Sequence, residues 1–104
     1  MQAGTDDNGT SKNSVGPVLR SGELADAVAE AAREDNPGRL VTVEDHSAYV
    51  RVKVDHECVL QRETIERHLG RPFAMSELQA DLASIAGQLE VDDSRMRFYF
   101  TKTL

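Results

Sequence analysis

Cysteine is nearly absent from this sequence, and a long apolar run is missing altogether. The single cysteine, Cys58, excludes an internal disulfide and cannot by itself hold an iron–sulfur cluster. Cys58 lies in an apolar segment, so we expect it to be a small buried side chain rather than a reactive thiol. No stretch approaches the roughly 18 apolar residues of a membrane span, and the first residues lack the charged-then-apolar pattern of a signal peptide. The sequence therefore predicts a cytoplasmic protein without membrane association.

Basic residues are too few to favour nucleic acid as a partner. The 104 residues contain 12 Lys and Arg against 18 Asp and Glu, which gives a formal net charge of −6 and a pI near 4.9. Binding to phosphate backbones requires clustered Lys and Arg, whereas the basic residues here are dispersed. The length corresponds to one domain, which we expect to be a monomer when free.

The residue patterns of known cofactor and catalytic sites are missing as well. Histidines occur only at positions 46, 56 and 68, without a second ligand at metal spacing. His56-Glu57 begins like a zinc-protease motif, but Leu60 stands where that motif needs its second histidine. The chain has no Glu-x-x-His pair, no glycine-rich phosphate loop and no Gly-x-Ser-x-Gly. From these residues alone we expect a small α+β binding or regulatory module.

A helix is the clearest element of the first half. Apolar residues recur at i, i+3, i+4 and i+7 from Leu24 to Ala31, with charged residues between them. Ser21 is placed to cap the first turn of this helix, and acidic residues follow it near the positive end of the helix dipole. We therefore predict an amphipathic helix that begins near Glu23 and ends by Asp35.

A turn and a β-hairpin follow the helix. Pro37 disfavours helical backbone at Asn36, and Gly38 supplies the positive φ that a type II turn needs. Beyond this turn, segments 40–44 and 48–54 are β-branched and alternating, which predicts two strands joined by a hairpin turn. Together with the helix they form an ordered helix–turn–hairpin unit.

The segments before the helix are a polar arm and a short strand. Residues 1–14 are almost without apolar side chains and rich in Gly, Ser, Thr, Asn and Asp, so we expect a disordered N-terminal arm. Residues 15–20 read as a strand, and Pro17 within it predicts a position at a sheet edge or a strand start. The ordered domain is thus expected to span residues 15–104.

The second half begins with the same order of elements. Residues 58–61 predict a strand, and residues 63–69 predict a two-turn helix that Gly70 closes in the left-handed conformation. Phe73 and Met75 follow where a helix cannot continue after Pro72, and we expect both side chains to fill the core.

The segment from 76 to 82 supports two interpretations. Ser76 and Gln79 have the spacing of a capping box for a helix, yet residues 79–82 also suit a strand that enters a turn at Ala83-Ser84, and we favour the strand. Alternating segments 87–91 and 96–100 then predict a final hairpin whose Met96, Phe98 and Phe100 face the core. The predicted fold class is α+β, with two βαββ-like halves and antiparallel sheets packed with helices.

Several segments in order resemble a known family. In the first half they are 15–24, 34–38, 43–45 and 48–51, which include Val-Gly-Pro-Val-Leu-Arg-Ser-Gly-Glu-Leu and Glu-Asp-Asn-Pro-Gly. In the second half they are 69–73, 76–78, 82–87 and 97–100, which include Leu-Gly-Arg-Pro-Phe and Arg-Phe-Tyr-Phe. This set is similar to the effector proteins of bacterial multicomponent di-iron monooxygenases, in particular those of toluene and alkene monooxygenases, and to the related regulatory proteins of phenol hydroxylase and methane monooxygenase.

The resemblance implies a role as a non-catalytic coupling protein. Its partner would be a di-iron hydroxylase that oxidises a small hydrocarbon, with about one effector per active site and with ferredoxin and reductase components beside it. The cofactor, a di-iron centre, would lie in the hydroxylase and none in this chain. Docking of such an effector is expected to change substrate access, oxygen reactivity and electron coupling at that centre.

The resemblance also indicates which residues contact the partner. The first set consists of Asp81, Ala83, Ser84, Ile85 and Gly87, and the second of Asn36, Pro37 and Gly38. Both sets also suit tight turns without any partner, so the residues by themselves leave this open. Two other functions stay open: a free-standing α+β domain that binds a small regulatory ligand, and an enzyme.

Overall fold

A computed structural model describes residues 13–100 of the chain. Its first half contains β1 (Ser14–Arg20), α1 (Glu23–Asp35), β2 (Val41–Asp45) and β3 (Tyr49–Asp55). This is the predicted order, and the bounds of α1 agree with the prediction. The predicted arm ends earlier than residue 14, because Ser14 pairs with Asp55 in the sheet and the main-chain oxygen of Asn13 accepts a hydrogen bond from His56. The rest of the predicted arm, residues 1–12, lies outside the described residues.

The second half differs from the prediction. It contains β4 (Glu57–Gln61), α2 (Arg62–Leu69), α3 (Met75–Asp81), β5 (Leu82–Ala86), β6 (Gln88–Val91) and β7 (Arg95–Tyr99). The strand interpretation of residues 79–82 is wrong for 79–81, which lie in α3, and the predicted turn at Ala83-Ser84 is wrong too, because α3 leads directly into β5 at Leu82. The cap of α3 is not Ser76: Ala74 precedes the helix, and the carboxylate of Glu77 accepts a hydrogen bond from its N–H at 3.4 Å.

The strands form two antiparallel sheets, so the α+β fold class is confirmed. One sheet has the order β2-β3-β1-β5 and the other the order β4-β7-β6. The two predicted halves do not remain separate, because β5 belongs to the second half of the chain but pairs with β1. The prediction that Pro17 lies at a sheet edge or a strand start is wrong as well, since β1 lies between β3 and β5 and Pro17 is its fourth residue.

Gly16 explains how a proline is accommodated inside the sheet. The pairing of β1 with β3 runs through Val15↔Val54 and resumes at Val18↔Arg51, so the ladder is interrupted at Gly16 and Pro17. Gly16 has φ +144°, and a Cβ built on it would lie 2.2 Å from the main-chain oxygen of Val52. The strands therefore approach each other more closely than any other residue would permit, and the N–H that Pro17 lacks leaves a local gap in the ladder.

One hydrophobic core lies between the inner faces of the sheets and the helices. Its fully buried members include residues from β1, α1, β3, β4, α2, α3 and β7, among them Val15, Leu19, Val28, Val52, Val54, Leu60, Ile65, Leu78, Met96 and Phe98. Phe73 and Met75 belong to it as predicted, whereas Phe100 is 41% exposed and the prediction of a core position for it is wrong. Phe100 lies one residue beyond β7, so strand alternation no longer directs its side chain.

The ends of the helices show which cap predictions hold. Gly70 closes α2 in the left-handed conformation with φ 81°, as predicted. Ser21 does not cap α1: Gly22 occupies the cap position, and the Ser21 hydroxyl donates a 2.6 Å hydrogen bond to the main-chain oxygen of Ser47 instead. Ser21 thus ties the start of α1 to the β2–β3 turn.

Candidate partner-binding surface

Strand β5 carries three of the predicted contact residues at the edge of the four-stranded sheet. Ala83, Ser84 and Ile85 are all exposed, with Ile85 at 39%. Asp81 is the last residue of α3, and Gly87 follows β5, so the first predicted set forms one continuous segment. The outward edge of β5 pairs with no other strand in the described part of the chain. Small side chains and one exposed aliphatic residue at a free edge are suited to close packing against another protein.

Cross-strand register divides β5 between the two faces of its sheet. Ser84 pairs with Val18, and Val18 pairs with Arg51, so these three side chains lie on one face. Ile85 pairs with Pro17 and lies on the opposite face, which packs on the core. We call the face that carries Ser84 and Arg51 the outer face. The pairing shifts by one residue at Ala83, a bulge that gives β5 extra twist at the edge.

Gly87 has a structural function independent of any partner. Its φ is +98°, and a Cβ built on it would lie 2.7 Å from both the main-chain oxygen of Tyr99 and Cγ1 of Val15. Gly87 therefore passes between the two sheets where the chain leaves β5 for β6, and only glycine fits there.

The second predicted set lies elsewhere, at the end of α1 against β4. Asn36 is only 5% exposed. Its side-chain amide donates to the main-chain oxygens of Ala32 at 2.8 Å and Val59 at 2.9 Å, and its Oδ1 accepts from the Val59 N–H at 2.8 Å. The Asn36 side chain thus pairs with the free edge of β4 as a neighbouring strand would. Of this set, Pro37 and Gly38 are the exposed residues.

We predict that Asn36→Ala lowers the free energy of unfolding by about 2–3 kcal/mol, because it removes three hydrogen bonds and leaves partly buried main-chain groups of Val59 unpaired. Pro37→Ala, at the exposed neighbouring position, is the control and is expected to change stability by less than about 0.5 kcal/mol. Urea unfolding of both variants measures this. Full stability of Asn36→Ala would contradict the structural assignment.

Ion pairs between elements were not foreseen from the sequence. Glu34 on α1 accepts from Arg67 and His68 on α2, both at 2.8 Å, and these hydrogen bonds hold the pKa of Glu34 down at about 2. On the outer face, hydrogen bonds from Lys53 and then His46 lower the pKa of Glu44. Except for His46 and Glu44, which are two residues apart, these pairs join residues that are distant in the sequence, from 9 residues for Lys53 and Glu44 to 34 residues for Glu34 and His68. No local pattern predicts them.

The described residues contain little that suits a cofactor or a reactive group. Within residues 13–100, no three His, Cys, Asp or Glu side chains lie close enough together to hold a metal ion. Cys58 is fully buried, as predicted, and its burial raises the pKa of the thiol to about 12. In the same part of the chain, no helix has the length and apolarity needed to cross a membrane.

One cavity bears on the hypothesis of a small-molecule ligand. It lies between α1 and α2, has a volume of about 230 Å³, and is lined by Glu23, Asp26, Ala27, Glu30, His68 and Leu69. Small-molecule sites are mostly apolar with a few polar groups, whereas three of these six residues are acidic. The cavity therefore gives the ligand-binding hypothesis no support.

The curated proteins that resemble this chain include two components of monooxygenase systems. The chain is 45% identical over 89 residues to the effector subunit of the alkene monooxygenase system of Xanthobacter autotrophicus strain Py2. The aligned region covers 86% of this chain and 88% of that protein. It is 35% identical over 78 residues to the phenol 2-monooxygenase stimulatory component DmpM of a Pseudomonas species. This aligned region covers 75% of this chain and 84% of that protein. Both relatives are named as effector or stimulatory components and not as catalytic ones.

Solved structures agree in fold. A chain in a phenol hydroxylase–regulatory protein complex matches with a TM-score of 0.72 and 28% identity, over 86% of this chain and all of that one. The soluble methane monooxygenase regulatory protein B matches with a TM-score of 0.64 over 97% of this chain and 71% of that one, at 20% identity, and so shares the fold. The model of the MmoB/DmpM family, finally, matches residues 13–99. The resemblance inferred from the sequence is thereby confirmed: the chain belongs to the MmoB/DmpM family.

Proposed function

We propose that this chain is the non-catalytic effector of a multicomponent monooxygenase, which binds the di-iron hydroxylase of that system and tunes its reaction. The observation that carries this proposal is the 45% identity to an alkene monooxygenase effector subunit over 88% of that protein. The fold of a chain from a hydroxylase–regulatory protein complex supports a hydroxylase as the partner. The substrate class is then a small hydrocarbon, which the hydroxylase hydroxylates or epoxidises in the cytoplasm.

In the proposed mechanism, the effector binds two conformations of the hydroxylase with different affinities. An effector that fits one conformer better shifts the population towards it by its difference in affinity. In this way it changes substrate access, oxygen reactivity and the coupling of electrons from reductase and ferredoxin to product, without a cofactor of its own. The exposed segment at β5, with Asp81, Ala83, Ser84, Ile85 and Gly87, is the proposed contact, with Pro37 and Gly38 as a second one.

We expect the purified chain to be inactive by itself and to raise product formation per NADH when it is added to its hydroxylase, ferredoxin and reductase. The yield should rise to an optimum near one effector per hydroxylase active site, because each site responds to one bound effector. The measurement is a titration at fixed hydroxylase, with NADH consumption and product followed together.

Heat-unfolded effector serves as the control for the titration. A yield that stays unchanged over the whole range would contradict the proposed function. Turnover of the hydrocarbon by the isolated chain would contradict the non-catalytic role. Stoichiometric iron in the purified chain would contradict the proposal that the chain has no cofactor of its own.

A further inference from the structure

A row of cross-strand neighbours joins β5 to the opposite edge of the four-stranded sheet. Ser84 pairs with Val18, Val18 with Arg51, and Arg51 with Glu44. Side chains directly opposite each other in antiparallel strands lie about 5 Å apart on the same face. The outer face is therefore one continuous surface from β5 to β2, and the exposed Ser84 at its edge adjoins the centre of that surface.

The outer face carries positive charge in an otherwise acidic chain. Arg51 and Lys53 lie on this face of β3, and Arg20 of β1 lies opposite Tyr49 on the same face. These three cations share this face with two carboxylates, Glu44 on β2 and Asp55 at the end of β3, so these strands carry an excess of one positive charge there, whereas the chain as a whole has a net charge of −6. A local excess of cations favours a partner surface with exposed carboxylates.

Of the two cations on β3, Arg51 is the less engaged within the chain. Glu44 accepts a hydrogen bond from Lys53 at 2.9 Å and contacts His46 at 3.2 Å, but its oxygen lies 3.9 Å from Nε of Arg51. Within the described residues, that Nε is shielded from solvent and has no hydrogen-bond partner. The Arg51 side chain is nevertheless 43% exposed. Its stem runs beside Val18, which is only 6% exposed although it lies on the outer face.

We infer that the hydroxylase contact extends from β5 across the outer face, and that Arg51 binds a carboxylate of the hydroxylase there. Arginine suits this function because its planar guanidinium donates two parallel hydrogen bonds to a carboxylate. The inference rests on the proposed function and adds to it the chemistry of the partner surface. It also assigns Arg51, and not only the small residues of β5, to binding.

The test is the affinity of Arg51→Met for the hydroxylase purified from the same organism, measured by calorimetry at about 50 and 500 mM salt. Methionine keeps an unbranched stem beside Val18 but removes the charge. We expect binding about fivefold weaker than wild type at low salt, and a smaller difference at high salt, because the lost interaction is an ion pair. Arg51→Lys, which keeps the charge but not the paired donors, should recover part of the loss.

Arg33→Met is the matched control. Arg33 lies on α1, its side chain is 49% exposed, and it has one ion pair, at 3.5 Å, with Glu30. The net charge changes equally in both variants, so equal affinities of Arg51→Met and Arg33→Met would overturn the inference. Wild-type chain that fails to bind the hydroxylase at all would instead overturn the proposed function. Thermal unfolding of each variant verifies that it is folded.

Discussion

Replacing Ile85 by aspartate is expected to raise the effector concentration for half-maximal coupling by roughly thirtyfold, while the temperature of unfolding changes by only a few degrees. Ile85 is 39% exposed at the free edge of β5, so it contributes less to the core than a buried aliphatic residue. At an interface, the same side chain is an apolar anchor, and the loss of a central anchor costs about 2 kcal/mol of binding energy. A coupling titration and a thermal melt on the same preparation measure the two effects.

Val91→Asp provides the matched comparison for Ile85. Val91 is an aliphatic residue at the end of edge strand β6, with 36% exposure, and aspartate there adds the same charge. We expect it to leave the titration within about twofold of wild type. If Ile85→Asp unfolds the protein, the milder Ile85→Ser is used to measure the contribution of the side chain to binding separately from its contribution to the core. An unchanged titration with folded Ile85→Asp would show that Ile85 does not contact the hydroxylase.

Gly16→Ala is expected to have the largest effect on folding, with a loss of more than about 3 kcal/mol of unfolding free energy or no soluble protein. The added Cβ would lie 2.2 Å from the main-chain oxygen of Val52, and main-chain atoms within a sheet cannot move aside as the end of a side chain can. The collision would separate β1 from β3, the pairing at the centre of the sheet. Circular dichroism during urea unfolding measures the loss.

Gly22→Ala separates the steric effect from backbone strain. Gly22 has φ +150°, close to the +144° of Gly16, but a Cβ built there has no neighbour within 4 Å. The loss of unfolding free energy in Gly22→Ala should therefore be limited to the strain of that backbone conformation, about 1–2 kcal/mol. Equal losses in the two variants would mean that strain alone, and not the close approach of β3, requires glycine at position 16.

Local signals in the sequence were sufficient for the order of the elements in the first half of the chain. The apolar spacing from Leu24 to Ala31 and the turn at Asn36-Pro37-Gly38 give α1 its observed bounds, because both act within a few residues. Residues 76–86 carry helix and strand signals together. Their outcome depends on the cap formed by Ala74 and Glu77 and on pairing of β5 with β1, and the second of these lies far away in the sequence.

The candidate surface was predictable only in part, for the same physical reason. The family resemblance, and not the residues by themselves, indicated that segment 81–87 contacts a partner, and Ala83, Ser84 and Ile85 are exposed. Asn36 is a residue type that is common in exposed turns. It is buried here because the fold places it against Val59, which is distant in the sequence. Arg51 adjoins Ser84 only through the register of three strands, which no local pattern contains.

The crossing of β5 into the sheet of the first half has a kinetic consequence. Gly16 pairs with Ala86, so the sheet is completed only when segments about 70 residues apart meet. Closure of so long a loop lowers conformational entropy before any contact compensates for it, and chains rich in distant contacts fold slowly. A fragment that ends after β3 would lack β5, one of the two neighbours of β1, and a fragment that starts at β4 would leave β5 without a partner. The chain should therefore fold late in synthesis, in a single step, after its final strand has left the ribosome.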